Sequence, residues 1–366
     1  MNNGTASYYT NKRKLTKQIH VGKVAVGGGA PVTVQTMVKA PPNDVEMSIK
    51  QIKTAEQLGC DIIRIAIPDE GACTALREIK KQVNLPVVAD IHFNHRLAIM
   101  AIEAGADGIR INPGNIGTPD QVREIVECAR SHKIPIRIGV NSGSLEKEII
   151  NKFGEATADA LVESALRYTK LIEDMGYQEL KISVKSPSVP VTVAAYRKLA
   201  QLTNYPLHLG VTEAGTLLTG TVRSTTALAL LLAEGIGDTI RVSLTADPAM
   251  EVKVGVEILR SLGLRQKGPC VISCPACGRV KVDVETIATK VEDNLERFYS
   301  RNPQAPHLLV AIMGCNVNGP GEAKWADVAV AGGNKKFALY IRGKYVRTIE
   351  EAEVVDAIME VINSWQ

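Results

Sequence analysis

The segment PVVADIHFNHRLAIMAIEAGADGIRINPGNIG at residues 86–117 decides the fold. Two short β-branched runs, 86–91 and 108–111, enclose a longer helical stretch, and each run carries one charged residue near its end, Asp90 and Arg110. Largely apolar runs of this kind are expected of parallel strands covered on both faces. The same unit recurs with runs at 32–35, 61–67, 135–140, 179–184, 207–211 and 239–244, which makes eight. Between the runs apolar residues return at helical spacing: Leu161, Ala165, Tyr168, Ile172 and Met175 share a face, and Gly176 follows as a stop. Eight consecutive strand–helix units in about 230 residues predict a (β/α)8 TIM barrel, in preference to an open doubly wound sheet. Upstream, residues 21–34 around Gly27, Gly28 and Gly29 read as a hairpin leading into it.

The barrel pattern ends at the charged, proline-bearing junction LRQKGP, residues 264–269. The chain therefore divides into a barrel domain, 1–265, and a small α/β domain, 266–366. In the second, strands are predicted at 271–272, 308–312, 327–331 and 337–341, and helices at 284–299 and 350–362.

Composition narrows the setting. Hydrophobic residues make up 45% and charged residues 22%, the balance of a globular protein with a full core, and aromatics at 4% leave that core to Val, Ile, Leu and Ala. The most apolar run, at 227–232, is far too short to cross a bilayer, and the polar N-terminus has no signal core. A net charge of +4 gives no ground for a nucleic-acid partner and suits an anionic small molecule. Seven cysteines, four of them in the last hundred residues, form no dense, even-numbered disulfide framework, so a reduced, cytoplasmic protein is expected.

In such a barrel the chemistry sits at the C-terminal ends of the strands. Polar residues gather there: Gln35, Arg64, Asp90, His92, Arg110, Asn112, Arg137, Asn141, Lys181, Lys185, Thr212, Glu213, Arg241 and Ser243. Arginine within an apolar strand is costly unless its charge is met, and nearby acids are few, essentially Asp90 and Glu213. Single arginines read equally well as structural ion pairs. Four strands with arginine and a fifth with lysines read better as a cationic mouth for a diphosphate, whose oxygens guanidinium groups grip in pairs. Histidines are too few for a barrel metal hydrolase: His92, His95 and His208 are the ones in reach.

The second candidate site is Cys274-Pro275-Ala276-Cys277, followed by Cys315 ahead of the Gly319-Pro320-Gly321-Glu322 turn. A Cys-x-x-Cys pair serves zinc, iron–sulfur or redox chemistry, and here no second pair completes a zinc ribbon. Cys270 could complete a four-cysteine zinc site instead. From spacing alone Glu322 reads as a solvated turn carboxylate. Cys60, Cys73 and Cys128 sit among apolar residues and read as buried small hydrophobes.

Seven motifs in one order carry a family resemblance: ADIHF (89–93), GIRINPGNIG (108–117), RIGVNSGSLE (137–146), TEAG (212–215), GIGDTIRVSLT (235–245), SCPACGR (273–279) and MGCNVNGPGEA (313–323). Across nearly its whole length the chain resembles the 4-hydroxy-3-methylbut-2-enyl diphosphate synthase (GcpE) family, in its two-domain bacterial form. The resemblance implies a TIM barrel followed by a domain similar to the cluster domain of sulfite reductases. It implies a homodimer with the active site between the barrel of one subunit and the cluster domain of the other. A 4Fe-4S cluster on Cys274, Cys277, Cys315 and Glu322 is implied too, which leaves Cys270 outside the site.

The implied reaction is the reductive ring opening of a cyclic diphosphate, 2-C-methyl-D-erythritol 2,4-cyclodiphosphate, in the methylerythritol phosphate pathway, with flavodoxin or ferredoxin as electron donor. Arg64, Arg110, Arg137, Asn141, Lys185, Arg241 and Ser243 match the substrate-contacting positions, while Glu213, Asp90 and His92 are candidates for proton handling. Two loops depart from the family pattern, residues 36–42 and 185–188.

Overall fold

The computed structural model describes residues 13–365 apart from 267, 303, 316 and 318. The chain separates into two compact units between Arg265 and Gln266.

The first unit opens with an antiparallel hairpin, β1 (Ile19–Val21) and β2 (Val24–Val26). It lies earlier in the chain than the hairpin expected at 21–34. Gly27, Gly28 and Gly29, with φ of 81°, 61° and 84°, form the link that follows it, because only glycine takes three such residues in a row at little cost. Ile19, Val21 and Val26 pack on Ile62 and Val88, so the hairpin covers the N-terminal ends of the first barrel strands.

Eight parallel strands follow: β3 (Thr33–Met37), β4 (Ile62–Ile67), β5 (Val87–Ile91), β6 (Gly108–Ile111), β7 (Ile136–Asn141), β8 (Leu180–Lys185), β9 (His208–Leu209) and β10 (Thr239–Ile240). Their order is β8-β7-β6-β5-β4-β3-β10-β9, and a parallel bridge from Ile182 to Leu207 joins the two ends into a barrel. The strands β9 and β10 are shorter than the sequence suggests. Their ladder stops after two residue pairs, although the Arg241 N–H still donates to Leu209 O at 3.0 Å.

Side chains along each strand alternate between two directions. One set packs outward into a single core shared with the helices: Ile63, Ile65 and Ile67 of β4, Ile136, Ile138 and Val140 of β7, and Leu180, Ile182 and Val184 of β8. The intervening set faces the barrel axis. Barrels of this kind are usually filled there by branched aliphatics. Here the inward positions carry Arg64, Asp90, Arg110, Arg137, Lys181, Ser183, Lys185 and His208, all buried.

Most strands lead through a short loop into a helix capped by its own sequence. Asp69 accepts from Ala72 N ahead of helix Glu70–Lys80, and Asn94 from Arg96 N ahead of His95–Glu103. Thr118 and Gln121 form a capping box at Pro119–His132. These caps fix where the loops stop, and so fix the rim of the barrel mouth.

The second unit is a five-stranded sheet, β11 (Cys270–Ser273), β12 (Leu309–Met313), β13 (Val328–Gly332), β14 (Lys336–Ile341) and β15 (Lys344–Glu350) in that order. The first three are parallel and the last three antiparallel. Helices Val284–Arg301 and Val354–Asn363 cover one face through Val291, Leu295, Val310, Val330, Phe337 and Ile358. On the other face a short helix, Gly319–Ala323, packs over Ala311, Met313 and Ala329. Glycine is required where that helix begins, since a Cβ on Gly319 would stand 2.7 Å from Ala331 Cβ. The strand β15 was missing from the sequence prediction. It is an edge strand with a single buried residue, Ile349, so no apolar alternation announces it.

Candidate functional site

The barrel interior gathers Arg64, Asp90, Arg110, Arg137, Lys181, Lys185 and Arg241. Strand register brings them side by side: Arg110 pairs with Arg137, Arg137 with Lys181, and Asn141 with Lys185. Asp90 is the carboxylate among them. Arg110 Nη1 donates to its Oδ1 at 3.1 Å, while Arg64 Nε stands 3.9 Å from Oδ2. Burial pushes the Asp90 carboxyl up, but the charges of Arg64, Arg110 and Arg137 together hold it well below the ordinary range. It is ionised at neutral pH.

The cations are far from satisfied by this one acid. Arg64 otherwise points Nε and Nη2 at Met37 Sδ, 3.2 and 2.9 Å away, and a thioether is a weak acceptor. Arg137 donates from Nη1 to Gln35 Oε1 at 3.1 Å, and its Nε has no partner among the described residues. Lys181 Nζ and both ring nitrogens of His208 are likewise buried without one. Burial, with Arg137 beside it, depresses Lys181 to about 7, and the same causes take Lys185 well below its usual value. His208 is depressed by burial and by Lys185, so it is neutral.

A second buried acid was not legible in the strands because it comes from a helix. Glu251, 1% exposed, sits on Pro248–Ser261. It accepts from Thr36 Oγ1 at 2.7 Å and Leu244 N at 3.0 Å, and pairs with Lys39 at 3.0 Å and Arg241 at 3.4 Å. The divergent loop 36–42 is therefore anchored under the rim by Thr36 and Lys39. The signal in the sequence was a lone acid one turn into a helix that follows an arginine-bearing strand.

His92 lies at the end of β5, half-buried. Its Nε2 is 2.7 Å from Arg110 Nη1, and Arg110 only donates, so Nε2 accepts and the ring proton sits on Nδ1. The Asn115 amide lies 3.0 Å from Nδ1 and its Oδ1 is unpartnered; a half-turn of that amide presents Oδ1 to the proton. Asn141 and Ser243 are half-buried at the mouth, Ser243 beyond the paired part of β10. Glu213 is exposed, with a left-handed backbone at φ 52°, and stands apart from the buried cations.

In the second unit the parallel pairing of β11 with β12 sets Ser273 opposite Ile312, so Cys274 and Cys315 both leave the C-terminal edge of the sheet. Cys274 Sγ accepts the Gly314 N–H at 3.2 Å. Cys277 is exposed, and hydrogen bonds to Arg279 lower its thiol pKa. The helix Gly319–Ala323, which carries Glu322, begins at the same edge. Among the described residues no three His, Cys, Asp or Glu side chains form a group set to hold a metal ion. What the fold brings together is the loops; Asn316 and Asn318 of the second loop lie outside the described residues. A soft donor set of three thiols with one carboxylate nearby fits iron–sulfur ligation.

The molecule is thus a TIM barrel with an interior rich in buried basic side chains, joined to a cysteine-bearing α/β unit. A family model described as the GcpE TIM-barrel domain matches residues 16–256, and one described as the GcpE protein C-terminal domain matches 270–364. The chain belongs to the GcpE family. It is 51% identical over 350 residues to the 4-hydroxy-3-methylbut-2-en-1-yl diphosphate synthase (flavodoxin) of Caldanaerobacter subterraneus subsp. tengcongensis, covering 96% of this chain and 97% of that one. To the protein of the same name from Geobacter sulfurreducens it is also 51% identical, over 94% of this chain and 96% of that one. The expected enzyme family is the one found. Among solved structures, Plasmodium falciparum HPPK-DHPS matches with a TM-score of 0.50 at 10% identity, over 68% of this chain and 50% of that one, a likeness of fold alone. Among the described residues no helix is long and apolar enough to cross a membrane.

Proposed function

We propose that the barrel binds 2-C-methyl-D-erythritol 2,4-cyclodiphosphate and that the chain, in the reducing cytoplasm, opens its ring reductively to (E)-4-hydroxy-3-methylbut-2-enyl diphosphate. The reaction takes up two electrons and two protons, breaks carbon–oxygen bonds and releases one water. The observation that carries this reading is the buried surplus of cations: Arg64, Arg110, Arg137, Arg241, Lys181 and Lys185 against Asp90 and Glu251. A surplus of that size in a water-poor interior calls for a dianion.

Arg64, Arg110, Arg137 and Arg241 hold the diphosphate oxygens, with Lys185, Asn141 and Ser243 closing on it from β7, β8 and the segment after β10. Asp90, ionised throughout, aims Arg110 and Arg64 and gives up no proton. His92, its Nε2 accepting from Arg110 Nη1, keeps Arg110 in place and is a candidate for proton handling. Glu213, exposed at the rim, is the carboxyl free to exchange protons with solvent.

Cys274, Cys277, Cys315 and Glu322 hold a 4Fe-4S cluster, which when bound supplies single electrons from a flavodoxin or ferredoxin. As in the form the sequence resembles, a homodimer sets the cysteine unit of one subunit over the barrel of the other.

Anaerobic purification tests this directly: about four irons per chain and a brown colour are expected for a cubane cluster. Colourless protein with stoichiometric zinc overturns the reading. Glu322→Ala is expected to fold normally and turn over poorly with a viologen reductant, and full turnover by that variant would remove Glu322 from the site.

A further inference from the structure

The helix Gly319–Ala323, which carries Glu322, also links two places on the sheet. Its first residue stands at that edge against Ala331, and the chain leaves it at Lys324, where the β14–β15 turn closes on it: a Cβ on Gly343 would lie 3.2 Å from Lys324 Cα. Sheet register shows how far apart these two places are. Met313 pairs with Ala331 at the cysteine end of β13, and Ile341, beside the turn, pairs with Val328 at its other end. Three residues of strand separate the two pairs, about 10 Å along the sheet.

That turn region gathers like charges. Lys324, Arg342 and Lys344 come together there, and among the described residues Lys324 and Lys344 make no ion pair. The ion pairs of the same hairpin, Lys336–Glu350 and Arg347–Glu360, lie further along it. Of the acids nearby in sequence, Asp327 is already committed, its Oδ2 accepting from Leu309 N at 2.8 Å, and Glu322 belongs to the proposed cluster site. Beside the cations, large apolar side chains face water. Trp325 is 62% exposed and Tyr345 57%, and Arg342 lies over the Trp365 ring at 4.8 Å. Basic residues around exposed aromatics make a surface complementary to an acidic protein, with Trp325 as the anchor.

We infer that Lys324, Trp325, Arg342, Lys344 and Tyr345 form the docking face for an acidic electron-carrier protein. The inference rests on the proposed iron–sulfur reaction and adds where electrons enter. Each docked carrier is oxidised by one electron, so two successive encounters supply the two electrons of one ring opening. Entry beside the helix, set back from the cysteine edge, leaves that edge open to substrate while remaining within the short range that electron transfer needs.

The test compares two reductants on the intact enzyme: reduced flavodoxin, which must dock, and reduced methyl viologen, a small molecule that need not. In the double variant Lys324→Glu/Lys344→Glu, the KM for flavodoxin is expected to rise about tenfold or more and to lose much of its dependence on salt. Trp325→Ala is expected to raise it several-fold. Viologen-driven turnover stays at the wild-type level in both. An unchanged flavodoxin KM overturns the inference, as does a parallel fall with both reductants, which would give this face a structural or subunit-contact role. Absence of viologen-driven turnover in the wild type is a different failure, that of the proposed reaction itself.

Discussion

The barrel interior and the cysteine edge are both candidate sites, yet they are built by opposite means. In the barrel these arginines are each held by a neighbour before any ligand arrives: Arg110 on Asp90 and Gly139 O, Arg137 on Gln35, Arg241 on Glu251. At the cysteine edge the backbone is positioned, but Cys277 is exposed and the donors are not gathered into a metal-holding group among the described residues. The first arrangement holds charge against a dielectric cost that only the surrounding fold can offset. The second relies on its occupant to draw the ligands together, as is common where a metal contributes to the order of its own site.

Cys315→Ser should separate the two most sharply. Iron content collapses and turnover falls at least about 100-fold. The affinity of the barrel for the cyclic diphosphate, by calorimetry, should move by less than about 1 kcal/mol. A large loss of substrate affinity would show that the two sites are not independently built.

Arg110→Met attacks the other side. It leaves Asp90 buried against too little positive charge, and urea titration should show a loss of about 3–5 kcal/mol. Stability within experimental error of wild type would mean that Asp90 is met by Arg64 alone.

Lys181→Met is expected to have the smallest effect, and one of opposite sign. The folded pKa of about 7 lies below the ordinary 10.5, so between these values the unfolded chain binds a proton that the folded one does not. Stability from this group therefore rises with pH across that window, and its full penalty applies below it. Removing the amine should stabilise the apoprotein by about 1–4 kcal/mol at or below neutral pH and flatten the rise between pH 7 and 10. Denaturant titrations across that range measure it; a destabilised variant would show that Lys181 has a partner in the interior.

Much of this was legible in the chain. Gly108–Ile111 is a strand with the bounds that its composition predicts, because a run so apolar has only one way to be covered on both faces. Arg64, Arg110, Arg137 and Lys181 stood out as charges inside such runs. Glu251 did not, since its role depends on a helix returning to β3 and the loop after β10. The bounds of the early hairpin and the existence of the edge strand β15 escaped for related reasons. One is defined by what it packs against, and the other has almost no buried face.

The amino-acid order by itself determined the number of strand–helix units, the junction near residue 265 and the identity of the cysteine and arginine motifs. These follow from local periodicity and from the cost of placing a charge among apolar neighbours. Only the tertiary structure decided which charges meet. That Asp90 is shared by two arginines, that Glu251 holds Arg241, and that Lys181 Nζ and the His208 ring nitrogens find no partner among the described residues depends on closing eight strands around one axis. Closure places residues more than a hundred positions apart, such as Gln35 and Arg137, within hydrogen-bond distance, and no local pattern encodes that distance.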